Sequence, residues 1–78
     1  MSYTYYQKTL EDSIQYRMRL LDVDTHINND LRKSCKLDLS NMQAKVNSIV
    51  TGSTSNDDKV KALQACILEM NVGQIGIA

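Results

Sequence analysis

From Asn56 to Ala78 this chain carries apolar residues around more of a helix than one contact can bury. At about 100° per residue, Val60, Leu63, Ile67 and Met70 form one stripe. Ala62, Ala65, Leu68, Val72 and Ile75 cover most of the opposite side. A helix lying on a single partner buries one face, so one that is apolar nearly all round must be surrounded. A chain of 78 residues has little else to surround it with. The expectation is a homo-oligomer, or cover by another protein.

The length suits one helical domain, residues 1–78. A domain this small buries only about 60% of the surface its unfolded form exposes, which leaves its core marginal. Disulfides, metal or assembly relieve that limit. Cys35 and Cys66 fall at apolar-facing helical positions, as buried thiols do in a reducing compartment, so a bridge is not expected. His26 is the single histidine, without a second ligand at metal spacing, and neither metal nor cofactor is expected.

Proline is absent and glycine occurs only at 52, 73 and 76, so the expected fold is all-α. Leu10, Ile14, Met18, Leu21, Leu31, Cys35, Leu39, Met42, Val46 and Ile49 share about 140° of helical arc. The row is interrupted at Val23–Asp30, where Asp, Thr and Asn favour local side-chain bonds over helix. The pattern predicts a polar arm at 2–8, a short first helix near 9–23 capped by Thr9, and a second near 27–51. The unbroken phase leaves one bent helix across the gap as an alternative. Gly52 serves as a stop, and Ser55 or Asn56 caps a third helix over about 57–76. The loop between them is short, so the second and third helices form an antiparallel hairpin. Gly73 and Gly76 weaken that last helix and call either for close backbone approach by a neighbour or for fraying.

Nine basic and nine acidic residues balance, which gives no electrostatic case for duplex nucleic acid and handicaps a regulatory nucleic-acid binder. No apolar run is long enough to span a membrane, and the opening residues lack a secretory pattern, so a cytoplasmic location is expected. No enzyme constellation is visible. A Ser-His-Asp arrangement would have to use His26 in the interhelical gap, and the acidic pairs 11/12, 22/24 and 57/58 fall at helix ends, where they suit the dipole. Arg32, Lys33, Lys36 and Lys45 read as a solvated face.

The tyrosine-rich start is less ordinary. Tyr3, Tyr5 and Tyr6 precede Lys8, with Arg17 and Arg19 further along. Aromatic rings beside cations can stack on a base and neutralise its phosphate. The competing reading is that one or two of these tyrosines staple the arm to the hairpin.

Both ends resemble the small phage sponge proteins that oppose CBASS and Thoeris immunity by sequestering cyclic nucleotides. The resemblance lies in Tyr3-Thr4-Tyr5-Tyr6, in Asn56-Asp57-Asp58-Lys59-Val60-Lys61-Ala62-Leu63 and in Gly73-Gln74-Ile75-Gly76-Ile77-Ala78. It is confined to the two ends, and Asp57 stands where the family carries an arginine. It implies a short helix plus a hairpin assembled as a homo-oligomer, binding a cyclic di- or trinucleotide without catalysis, with Tyr5 or Tyr6 stacking on a base. Lys8, Arg17, Arg19 and Lys59 are phosphate candidates from charge and position alone. The alternative is a protein–protein adaptor, such as a secretion-system co-chaperone or a phage inhibitor of a host complex, whose third helix docks into its partner.

Overall fold

The computed structural model describes residues 2–78. Three α-helices, α1 (Tyr3–Val23), α2 (Asn29–Thr51) and α3 (Asn56–Val72), account for its regular structure. Each begins at a side-chain cap. The oxygens of Ser2, Asn28 and Ser55 accept from the amides of Thr4, Asp30 and Asp58, satisfying donors that the first turn leaves unpaired.

The first helix is not short, and of the residues expected to form an arm, 3–8 belong to it. At 21 residues it matches its neighbours, and it starts at Tyr3 rather than near Thr9. Tyr3 and Tyr6 precede Leu10 and Ile14 at helical spacing and pack against the core, so the apolar row begins two turns earlier than Leu10. Thr9 is interior, and its hydroxyl donates to the Tyr5 carbonyl at 2.9 Å.

A reversal replaces the single bent helix. Asp24 accepts the His26 amide on its side chain, and α2 restarts after Asn28. Gln43 Nε2 donates to Glu11 at 3.0 Å and Lys36 pairs with Asp22, so α2 runs antiparallel to α1. Lys45 pairs with Glu69 at 2.8 Å across the α2–α3 hairpin. Tyr6 meets Gln64 and Arg17 meets Asn71, so α1 and α3 run parallel. Leu10, Ile14, Leu21, Leu39, Met42, Val46, Leu63 and Met70 fill the space between the helices, with Cys35 and Cys66 buried as free thiols.

The third helix ends at Val72, four residues before the expected end. The Ile75 amide donates to the Met70 carbonyl at 3.1 Å, and Gln74 takes a left-handed conformation at φ 49°. This is a Schellman stop with glutamine at the position glycine usually fills. Gln74→Gly should therefore raise stability by about 0.5–1 kcal/mol, seen as a higher urea midpoint at unchanged slope. The tail then crosses onto α2, where Gly76, at φ 72°, lies against Leu39. Of the two readings for the glycines, close approach is the one found at Gly76.

Burial pushes the Cys66 thiol above its usual value, with Lys45 opposing and Glu69 adding slightly. The folded thiol therefore holds its proton after the unfolded one has lost it. Its contribution to stability is complete below the ordinary thiol value, about 8.5, and is lost as pH rises toward the raised one. The urea midpoint should fall more steeply between neutral and alkaline pH for the natural chain than for Cys66→Ala.

Candidate functional site

The six sequence-derived ligand candidates do not converge. Tyr5 points outward, 61% exposed, with its ring edge-on to Tyr6 at 5.2 Å between centroids. Tyr6 is half-buried against the core, and its hydroxyl accepts from Gln64 Nε2 at 3.3 Å. The Lys59 ammonium lies 5.0 Å from the centre of the Tyr3 ring, a cation–π contact that joins the starts of α1 and α3. These four side chains share one end of the bundle. Stapling is what Tyr3 and Tyr6 do, and it leaves Tyr5 as the one outward ring there.

Lys8 pairs with Asp12 at 3.2 Å on the open side of α1. Arg19 is exposed, without a hydrogen bond among the described residues, and fourteen residues of helix put it about 21 Å along α1 from Tyr5.

Arg17 has a different task. Its guanidinium donates to the carbonyls of Met70 at 3.0 Å and Ile75 at 2.8 Å, and to the Asn71 side chain at 3.2 Å. It caps the carbonyl end of α3, where a cation also answers the helix dipole. Its donors face protein oxygens rather than open solvent.

Arg32 does the same for α1, donating to the carbonyls of Leu21 and of Asp24, the latter at 2.7 Å. With Lys36 on Asp22 and Lys45 on Glu69, three of the four cations read as a solvated face instead tie helices together. The sequence offered no signal for this, because each partner is distant in the chain or a backbone carbonyl.

Surface hollows of about 170, 200 and 180 Å³ are present, none lined by Tyr5, Tyr6, Lys8, Arg19 or Lys59. Pockets that enclose a small organic ligand usually run from about 300 Å³ upward. Among the described residues no group of three or more His, Cys, Asp or Glu side chains is placed to hold a metal ion.

What the surface does carry is apolar. Leu68 and Val72, one turn apart on the outside of α3, are 63% and 76% exposed. Tyr16, Leu20 and Val23 stand out from the same end of α1, and Ile77 from the tail beside Leu20. The opposite side of α3, with Leu63, Cys66 and Met70, is fully spent in the core. The chain matches no family model, no curated protein and no solved structure. Its own geometry is therefore what bears on function. Among the described residues no helix is long and apolar enough to cross a membrane.

Proposed function

We propose that this protein works without catalysis, as a helical interaction module whose outer α1–α3 face is covered by another chain in its working state. The observation that carries this reading is the exposure of Leu68 and Val72 on a helix whose other side is already buried. Outward positions of a helix in a self-sufficient bundle are polar, and clustered exposed apolar side chains mark interaction surfaces. The test compares the natural chain with Leu68→Glu/Val72→Glu. The natural chain should either self-associate or bind an apolar dye such as ANS, and the double variant should do neither while keeping its helicity. A natural chain that stays monomeric, binds no dye and matches the variant would end this reading.

A second reading, the cyclic-nucleotide sponge, has one observation in its favour: Tyr5 is an exposed ring at the bundle end that also holds Lys59. A nucleotide held there would have to be enclosed between copies, since none of the hollows described above is lined by these residues. Melting with a panel of cyclic di- and trinucleotides tests it. A ligand at 100 times its dissociation constant stabilises by about 2.7 kcal/mol, a shift of several degrees. Tyr5→Ala should abolish the shift and leave the unliganded melt in place, because the ring touches little of the core. A panel without any shift removes the sponge.

A further inference from the structure

The third helix stops short of its neighbours. Lys45 pairs with Glu69 across α2 and α3, a register that sets Val72 level with residue 42 of α2. Tyr6 meets Gln64 and Arg17 meets Asn71, which sets Val72 level with about residue 16 of α1. About the last two turns of α1 and the first three and a half of α2 therefore run on with no third helix beside them. Leu21, Cys35 and Leu39 lie in this stretch, and all three are buried.

What closes the third side is the tail, residues 73–78. Ile75 packs on the core, and Gly76 is buried against Leu39. The α1–α2 pairing puts Cys35, one turn beyond Leu39, level with Leu21, which shares a hollow with Gly76 and Ile77.

The tail is lightly held. Ile75 is its one side chain packed on the core, and Ile77 stands half exposed. Among the described residues, the Arg17 donation to the Ile75 carbonyl is the last hydrogen bond that ties the tail to a helix, since the Ile77 amide turns back to Gln74. Hollows of about 170 and 200 Å³ flank the tail. Ile75 lines the one toward α2 and α3, and Gly76 and Ile77 line the one toward α1, so each side forfeits packing contacts. Gln74, at φ 49°, holds a left-handed backbone that relaxes once the tail lifts.

We infer that the tail is a strap, latched by Arg17, which opens as a unit while the three helices stay packed. Local openings of this kind draw on segments with few buried contacts. The open form joins Leu21, Cys35 and Leu39 to Leu20, Val23 and Ile77, which are exposed at this end already. The strap thus sets how much apolar surface the protein presents there, whether or not another chain covers the outer α1–α3 face.

The two cysteines report on it within the natural chain. Cys35 lies beneath the strap, whereas Cys66, between Leu63 and Met70 on α3, is reached only when the helices part. Each thiol's iodoacetamide labelling in low urea is read by peptide mass spectrometry and referred to the denatured chain. Cys35 should be at least about tenfold less protected than Cys66. Its labelling should barely respond to urea, because strap opening exposes little surface, while that of Cys66 follows the full slope of global unfolding. Val46→Ala, two turns from Leu39 on the side away from the strap, should speed labelling of Cys66 and leave Cys35 unchanged. Hydrogen exchange locates the opening: the amides of Ile75 and Ile77 should share the low urea response of Cys35, with those of residues 35–39 protected to the global level. Equal protection of both thiols at one urea slope would overturn the strap. So would equal acceleration of both in Val46→Ala, or exchange of the α2 amides in step with Cys35.

Discussion

Gly76→Ala should be among the most damaging single-methyl changes available in this protein, costing about 2–4 kcal/mol. Two penalties combine. At φ 72° the backbone is left-handed, which an L side chain resists. A β-carbon would also lie 2.4 to 2.6 Å from three side-chain carbons of Leu39, itself fully buried. The tail must lift off α2 or Leu39 must leave its rotamer, and packed interiors yield little to either. At roughly 4–8 °C per kcal/mol for a domain of this size, the melting temperature should drop by about 8–32 °C. Gly52→Ala is the control. Its added carbon would meet carbonyl oxygens at 3.3 and 3.4 Å with an ordinary φ, and it should cost under about 1 kcal/mol. Shortening Leu39 opens a cavity worth about 2–5 kcal/mol by itself. In Leu39→Ala/Gly76→Ala the new methyl enters that space, so the double variant should cost less than the two singles added. Strict additivity would place the tail elsewhere.

The same tail shows where the sequence was legible and where it was not. α2 begins within two residues of its expected start, and the 51–56 loop and the Ser55 cap fall where the residues put them. Those features are local: a polar cluster, a glycine and a hydroxyl suffice to write them. The end of α3 is not local. Residues 73–76 would continue a helix on periodicity alone; the chain leaves it at Gln74, and Gly76 then lies against Leu39, more than thirty residues earlier, where a side chain does not fit. The start of α1 failed for another reason. The tyrosine-rich start reads as a polar arm, its rings either base-stacking beside cations or stapling the arm to the hairpin, yet Tyr3 and Tyr6 stand in phase with Leu10 and Ile14. Extending the apolar row backward would have found them. The greasy outer side of α3 was legible from the start, and Leu68 and Val72 are exposed as that pattern required of a lone chain. Cations were the least legible. Charge and position suggested phosphate for Arg17, whereas its partners are set by the parallel α1–α3 pairing, which periodicity does not encode.

Arg17→Ala separates those two roles directly. If the guanidinium served only a ligand, its removal would leave folding untouched. Its three donor contacts reach the carbonyls of Met70 and Ile75 and the side chain of Asn71, so truncation strips the cap from α3 and the anchor from the tail together. A hydrogen bond to a charged group contributes about 1.5–3 kcal/mol when sheltered. Arg17 is half-buried and water can reach part of the vacated site, which brings the expected cost to about 2–3 kcal/mol for the set rather than for each bond. Met70 keeps one partner, the Ile75 amide, but the Ile75 carbonyl loses the one hydrogen bond it has among the described residues. Loss of protection should therefore concentrate in the amides of residues 73–77 by hydrogen exchange, ahead of global unfolding. Arg17→Lys tells charge from geometry. A lysine keeps the favourable interaction with the helix dipole, yet its single ammonium cannot span two carbonyls and an amide as a planar fork does. It should recover less than half of the lost stability. Full recovery by lysine would mean that the dipole alone matters, and an unchanged melt in Arg17→Ala would return this arginine to the pool of candidate ligand contacts.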